Sequence, residues 1–270
     1  MLTKFTYTTP HGIICYWKND FLPGRLCLVF LPGLSVDHTL FEKQIDFFGN
    51  NCNILTWDAP GHVLSRPFKL NFSLEQEAQW LHEIVIQNGI SNAPLFLIGQ
   101  SKGGFLAMEY MSLFPHEIKG VVSIDSGPIE RVYFSKAELW ILKHLRMMFR
   151  IYPINALKKE MISACSETEY GQVLMQKMYQ AYGDDLYDLL AYGFKIIAES
   201  IESHTIPIPE CPVLIIMGEN DRLGGLIKYN RRWAARRKLP FVIVPNAKHN
   251  SNNDNYEFVN RQIQAFIETY

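Results

Sequence analysis

The stretch Leu95 to Met108 reads LFLIGQSKGGFLAM and joins three local patterns. It opens with the apolar run Leu95–Ile98, which is typical of a buried strand. The next residues, Gly99-Gln100-Ser101-Lys102-Gly103, match the pattern G-x-S-x-G. The residues after them, to about Phe114, have the spacing of an amphipathic helix. We therefore predict a strand, a tight turn and a helix, with Ser101 at the apex of the turn.

This turn has a mechanical reason for its composition. A sharp change from strand to helix pushes the serine side chain out of the sheet, and a glycine two residues away on either side prevents a backbone clash. The N-terminus of the following helix directs free N–H groups towards whatever the serine attacks. The pattern therefore predicts that Ser101 is a nucleophile. The alternative interpretation is an ordinary strand–helix turn with a capping serine.

Apolar runs recur along the chain and alternate with stretches of helical periodicity, which indicates a parallel sheet with helices on both faces. An N-terminal hairpin is predicted over Phe5–Tyr16. The predicted strands after it are Arg25–Leu31, Asn53–Trp57, Gly120–Ile124, Val213–Met217 and Phe241–Val244. The predicted helices between and after them include Thr39–Phe48, Ser73–Asn88 and Tyr256–Ile267. Ser73 and Gln76 have the spacing of a capping box.

The region from about Ile129 to Ile206 is different, because it contains helical patterns and no convincing strand. The predicted helices are Lys136–Met148, Ala156–Ala164, Gln172–Ala181 and Asp185–Glu199. A helix-rich insertion between two strands of a sheet is best interpreted as a cap over the carboxyl ends of the strands.

With these motifs in place, the chain resembles the α/β-hydrolase superfamily along most of its length. The resemblance implies an α/β fold with a mostly parallel sheet of about eight strands and a helical cap inserted after the sixth. It implies a core formed by residues 1–128 and 207–270, and a cap formed by residues 129–206. It also implies hydrolase chemistry at Ser101, provided that other residues activate the serine.

A serine hydroxyl needs a base, and the base needs an acid that orients it. In this superfamily the order along the chain is Ser, then Asp or Glu, then His. Asp221 follows the Val213 strand and His249 follows the Phe241 strand, so the resemblance assigns them as acid and base. Glu219 and Asp125 are the rival acids, and some relatives place the acid near the Asp125 position. Other histidines are expected on turns or helix faces near solvent: His11, His62, His82, His116 and His144.

Acyl transfer also needs N–H donors for the tetrahedral oxyanion. The resemblance assigns one to the backbone of Lys102, directly after the nucleophile. Pro32-Gly33-Leu34 looks like the oxyanion turn of the superfamily, which makes the Leu34 N–H the second donor. The loop Asp58-Ala59-Pro60-Gly61-His62-Val63-Leu64-Ser65 resembles a D-x-P-G-x-G-x-S loop and is expected to support the structure near the site.

Lysine is an unusual residue directly after the nucleophile. One interpretation is that the Lys102 side chain faces solvent or forms an ion pair while its backbone N–H does the work. The other is that its ammonium lies at the rim of the pocket and favours acyl groups with a negative charge.

The composition limits the possible partners. Hydrophobic residues make up 48% of the 270-residue chain and charged residues 20%, with a formal net charge of −1. This is an ordinary globular composition, and bulk charge gives no reason to expect nucleic acid or an anionic membrane as a partner. The five cysteines lack a C-x-x-C pattern, which favours reduced thiols. Because neither a signal segment nor a membrane-spanning stretch is recognisable, we predict a cytoplasmic protein.

The leading hypothesis is a serine hydrolase that cleaves a carboxylic ester or a related small acyl compound through an acyl-enzyme. The same triad on this fold also performs C–C bond hydrolysis, lyase and cofactor-independent oxygenase chemistry. A non-catalytic ligand-binding homologue is the third hypothesis. No cofactor and no metal are expected, because there is neither a dinucleotide-binding glycine motif nor a cluster of metal ligands.

Overall fold

The carboxyl edge of a single twisted sheet organises the molecule. The structure, a computed structural model, describes residues 2–90, 93–206 and 211–270. Over these residues eight strands form one sheet in the order β1-β2-β4-β3-β5-β6-β7-β8. Strands β3 to β8 pair in parallel, whereas β2 pairs antiparallel with both β1 and β4. The predicted fold class is confirmed.

The strands match the predicted runs closely. Their bounds are β1 Thr3–Thr9, β2 Gly12–Lys18, β3 Cys27–Leu31, β4 Asn53–Trp57, β5 Leu95–Gln100, β6 Gly120–Ile124, β7 Val213–Gly218 and β8 Phe241–Val244. The first two form the predicted N-terminal hairpin. All residues of β3, β4, β5, β6 and β7 are buried, as expected for parallel strands covered on both faces.

Helices cover both faces of the sheet, and two separate apolar clusters lie between sheet and helices. In the first half of the chain they are α1 Glu42–Phe48, α2 Leu74–Gln87 and α3 Lys102–Leu113. Between β6 and β7 they are α4 Lys136–Lys143, α5 Arg146–Arg150, α6 Ile154–Cys165, α7 Glu169–Tyr179 and α8 Asp185–Ser203. The last are α9 Leu226–Arg237, α10 Ser251–Asp254 and α11 Tyr256–Ile267.

Three local predictions differ from the structure. The helix predicted from Thr39 begins as a 3-10 turn, and the α-helix starts only at Glu42. The predicted capping box forms by half: the Ser73 hydroxyl accepts from the N–H of Gln76, but the Gln76 side chain donates to Gln79 instead.

The helix predicted over Lys136–Met148 is interrupted after Lys143. The His144 imidazole there donates from Nδ1 to the Trp140 carbonyl at 2.7 Å. The side chain thus takes the carbonyl that a continuing α-helix would offer to the His144 N–H, which donates to the Ile141 carbonyl instead.

The inserted helices α4–α8 lie between β6 and β7, where the sequence predicts a cap. Their division from the core at residues 128 and 129 stays a prediction, and the other boundary, at residue 207, lies outside the described residues. Within the described ranges, no helix is both long and apolar enough to cross a membrane.

The turn after β5 has no space for a side chain at Gly103. A Cβ added there would lie 1.8 Å from the Leu31 carbonyl oxygen, which belongs to the neighbouring strand β3. We expect Gly103→Ala to lower the free energy of unfolding by about 3 kcal/mol or more, because backbone has to move. Urea unfolding followed by circular dichroism measures the change.

Gly183→Ala is the matched control, since its nearest neighbour would be 3.6 Å from the new Cβ. This control should stay within about 0.5 kcal/mol of the wild type. Equal stability of the two variants would contradict the tight packing at Gly103.

Candidate active site

The Ser101 side chain is presented by a strained turn between β5 and α3. Ser101 has φ 51° and ψ −119°, in the left-handed half of conformational space that non-glycine residues rarely adopt. Its N–H donates to the Ile124 carbonyl of β6 at 2.9 Å, which holds the turn against the sheet. Gly33 lies directly beside it, since a Cβ on Gly33 would be 3.2 Å from the Ser101 Cβ. The geometry is that of a half-buried serine at the apex of a strand–helix turn, as the G-x-S-x-G pattern predicts.

Ser101, His249 and Asp221 form one hydrogen-bonded series. The Ser101 Oγ lies 2.9 Å from His249 Nε2, and the Asp221 Oδ2 lies 2.9 Å from His249 Nδ1. An ionised carboxylate only accepts, so Nδ1 carries the proton and Nε2 of the neutral ring is free to accept from the serine hydroxyl. The structure therefore brings together the three residues that the sequence singles out for the triad, and with the order of roles that general-base activation requires.

The pKa of His249 reflects two opposing effects. Burial favours the neutral ring and acts to lower the pKa, but the hydrogen bond and charge of Asp221, together with the charge of Asp125, raise it above its usual value. A raised pKa makes the imidazole a stronger acceptor for the serine proton. It also means that the neutral, active form of the base is reached only at a higher pH.

Asp125, the main rival acid, lies close to the triad but has different partners. Its Oδ1 accepts from the Gly218 N–H at 2.7 Å, and its Oδ2 accepts from the Ser251 N–H at 2.8 Å. Asp125 thus joins the end of β7 to the loop after His249. Burial, followed by the charge of Asp221, raises the pKa of Asp125 to about 8. The second rival, Glu219, accepts from the Asn246 N–H at 3.2 Å and bonds to neither His249 nor Ser101.

The turn after β3 approaches the nucleophile from the other side. Leu34 lines the cavity at Ser101, and Lys102 is the first residue of α3. Ser35 is fully buried with φ 65°, and its hydroxyl lies 3.1 Å from the Tyr179 hydroxyl of α7. This link between the turn and an inserted helix is not visible in the sequence, because 144 residues separate its two members.

The Lys102 side chain lies away from the cavity, which corrects the hypothesis of an ammonium at the pocket rim. Its Nζ donates to both carboxylate oxygens of Glu77 on α2, to Oε2 at 2.6 Å. Lys102 is 3% exposed and Glu77 is fully buried. Burial raises the pKa of Glu77, and the charge of Lys102 acts against that rise. The ion-pair interpretation of this lysine is therefore the one the structure supports.

His62 is buried, so the expectation of a solvated histidine is wrong at this position. It is 1% exposed, and its Nδ1 donates to the Pro60 carbonyl at 3.1 Å. Burial, followed by the charge of Lys102, lowers the pKa of His62 to about 3, so the ring is neutral. The Asp58 carboxylate of the same loop accepts from the N–H groups of His38 and Leu64, which is a structural role.

A small cavity of about 70 Å³ lies against Ser101 and His249. The other residues that line it are Leu34, Val36, Gln100, Met161, Cys165, Met175, Tyr179, Leu190, Phe194, Leu223 and Asn250. None of these is an Asp, Glu, Lys or Arg. Over the described ranges, no group of three or more His, Cys, Asp or Glu side chains is arranged to hold a metal ion.

Known proteins share this architecture. The sequence profile of the alpha/beta hydrolase family matches residues 28–262. Serine hydrolase BPHL of Mus musculus is 22% identical over 251 residues, covering 91% of this chain and 80% of that protein. (E)-2-((N-methylformamido)methylene)succinate hydrolase of Acinetobacter baylyi is 21% identical over 252 residues, covering 90% of each. The solved structure of a thermophilic esterase from Thermogutta terrifontis has a TM-score of 0.75 at 19% identity, covering 100% of this chain and 98% of that one.

The raised pKa of His249 predicts the pH dependence of any reaction that uses it as a base. On the acid side, kcat/KM should fall with a midpoint above 6.5, the usual pKa of histidine, because the protonated ring cannot accept the serine proton. Asp221→Asn should move this midpoint to lower pH and reduce kcat at neutral pH by roughly 10³- to 10⁴-fold. The measurement is a pH–rate profile with a chromogenic ester. Glu219→Gln is the control, and a larger loss in this variant would reassign the acid.

The buried Lys102–Glu77 pair predicts an asymmetric mutational result. Lys102→Met should lower the free energy of unfolding by about 3–5 kcal/mol, because it leaves an unpaired buried carboxylate. The double variant Lys102→Met/Glu77→Leu should recover most of that loss in urea unfolding. Lys102→Met should leave the preference between neutral and carboxylated esters unchanged. Loss of a wild-type preference for carboxylated esters would restore the rim hypothesis.

Proposed function

The chain belongs to the alpha/beta hydrolase family, and we propose that it is a serine hydrolase that cleaves a carboxylic ester with a small, uncharged acyl group. One observation carries the proposal: the Ser101–His249–Asp221 series ends at a small cavity with a mainly apolar lining. A hydroxyl hydrogen-bonded to an oriented imidazole is the arrangement that makes serine nucleophilic.

The reaction proceeds in two half-reactions. The Ser101 Oγ attacks the ester carbonyl carbon while His249 Nε2 takes its proton, and Asp221 stabilises the imidazolium that forms. The backbone N–H groups of Leu34 and Lys102 bind the oxyanion. The intermediate then collapses: the C–O bond to the alcohol breaks, and His249 returns the proton to the departing oxygen. In the second half-reaction water attacks the acyl-enzyme while His249 takes a proton from the water. The bond to Ser101 then breaks, the serine regains a proton from His249, and the carboxylic acid is released.

The cavity lining supports the choice of acyl group. Leucine, valine, methionine and phenylalanine side chains form most of its surface, and its volume of about 70 Å³ suits a short chain. A carboxylate in the acyl group would be buried there without a cationic partner from the lining, which is costly. The Acinetobacter relative is named for a succinate substrate, so we propose that this chain differs from it in the charge of the acyl group.

The inserted helices form part of the proposed substrate site. We assign residues 129–206 as a cap, because Met161, Cys165, Met175 and Tyr179 from α6 and α7 line the cavity over Ser101. The partner is a small acyl substrate, and the proposal involves neither nucleic acid nor a membrane span. All five cysteines are free thiols, which supports the proposed cytoplasmic location.

A fluorophosphonate probe tests the activated nucleophile. Wild type should become covalently labelled and Ser101→Ala should not, because only the hydroxyl reacts. p-Nitrophenyl esters of rising chain length should then show the highest kcat/KM for short acyl groups, falling as the chain outgrows the cavity. Labelling that persists in Ser101→Ala would exclude this serine. Turnover of a C–C substrate with no ester hydrolysis would favour the same-fold C–C hydrolase alternative, and a folded wild type without labelling would favour a binding role.

A further inference from the structure

The side-chain amide of Gln100 contacts two of the segments that form the site, the turn after β3 and the loop that carries His249. Gln100 directly precedes the nucleophile, and its side chain is 2% exposed. Its Nε2 donates to the backbone carbonyl of His249 at 2.7 Å and to Asn250 Oδ1 at 3.1 Å. Two oxygen acceptors around one amide atom fix which end of the amide is nitrogen.

The other end of the same amide lies against the turn after β3. A Cβ added to Gly33 would overlap Gln100 Oε1, so only glycine leaves room for the amide at this point. The next residue in that turn, Leu34, is the proposed oxyanion donor. One end of the amide thus packs against the turn that carries the proposed oxyanion donor. Its other end is hydrogen-bonded to the loop that carries His249, the proposed base. The nucleophile is the next residue along the chain.

Asn250 extends these contacts to the inserted helices. Its N–H donates to the Cys165 carbonyl at 2.7 Å, and its Nδ2 donates to the Ser166 hydroxyl at 3.3 Å. Both partners lie at the end of α6. The loop that carries His249 is therefore held from two directions, by Gln100 from the nucleophile turn and by α6 from the insertion.

We propose that Gln100 is a positioning residue, whose carboxamide holds the His249 backbone so that Nε2 stays within reach of Ser101 while Nδ1 stays on Asp221. This role goes beyond the triad and rests on the proposed function for its effect on rate. Gln100 also lines the cavity, but its Nε2 donates to the loop that carries His249, so the proposed role of this donor runs through the position of His249. Small displacements of a catalytic base reduce rate strongly, and supporting hydrogen bonds are what prevent them.

The test replaces the amide without emptying its site. Gln100→Met keeps the length of the side chain and removes the donor. We expect kcat for a short p-nitrophenyl ester to fall by about 10- to 100-fold while KM changes by less than about twofold, because Met keeps the volume of this cavity-lining side chain and removes only the donor to the His249 loop. Asn53→Leu is the matched control.

Asn53 is a buried amide whose Nδ2 donates to the carbonyls of Leu22 and Arg25, at the opposite edge of the sheet. Its loss should lower stability but leave kcat and KM within twofold of the wild type. Equal kcat losses in Gln100→Met and Asn53→Leu would reduce Gln100 to a merely structural residue and overturn the proposal. So would a folded Gln100 variant with wild-type kcat.

A second readout needs no substrate. NMR titration of the His249 ring measures its pKa, which Asp221 and Asp125 raise. The ring signal is identified as the one that is absent in His249→Gln. Displacement of the ring from Asp221 in Gln100→Met should lower this pKa, whereas Asn53→Leu should not change it. An unchanged pKa would overturn the positioning role. Absence of labelling and turnover in the wild type would instead overturn the proposed function, and the titration would still decide whether Gln100 positions the ring.

Discussion

The structure depends on how closely the backbone of the nucleophile turn packs against strand β3. A Cβ at Gly103 would overlap the Leu31 carbonyl, and one at Gly99 would overlap the carbonyl of Gly103, so the turn exists only with glycine at both positions. The same compression forces Ser101 to φ 51°, a conformation that costs of order 1–3 kcal/mol in a non-glycine residue. Hydrogen bonding to β6 and burial of β5 on both faces offset that cost. The sheet therefore keeps Ser101 in its strained conformation. In that conformation the hydroxyl points out of the sheet.

Two buried aspartates lie at the carboxyl edge of the sheet, and their different hydrogen-bond partners decide which acid faces the base. Asp125 is nearer the nucleophile along the chain, but both of its oxygens accept N–H groups, from Gly218 and Ser251. A carboxylate engaged in this way ties two loops together and has its best-directed lone pairs occupied. Asp221 comes from the loop that Asp125 anchors, and its Oδ2 points at His249. Asp125 thus helps to place the two loops that carry Asp221 and His249.

The sequence was informative wherever local pattern determines structure, and uninformative where distant residues meet. Apolar runs and chain order predicted the strands, the nucleophile turn and the residues that meet at it, because parallel strands bring their carboxyl ends to one edge. The pairing of Lys102 with Glu77 was not predictable, since it depends on how α2 packs beside the turn. The burial of His62 was not visible in the local pattern of its loop. The break after Lys143 was missed because periodicity does not register an imidazole that takes a main-chain carbonyl. The positioning contacts of Gln100 likewise join residues 149 and 150 positions apart.

The two halves of the site make different physical contributions, and they meet at the turn after β3. The sheet edge supplies the hydroxyl, the imidazole and the carboxylate, whereas α6 and α7 supply much of the apolar wall around them. Tyr179 joins the two halves, because its hydroxyl lies 3.1 Å from Ser35, the residue after Leu34. Ser35 is itself held at a positive φ, so this contact acts on a stretch of backbone with little freedom. A change in the inserted helices would therefore alter the volume available to the acyl group and the oxyanion turn together. Through the contacts of Asn250 with the end of α6, it would also reach the loop that carries His249.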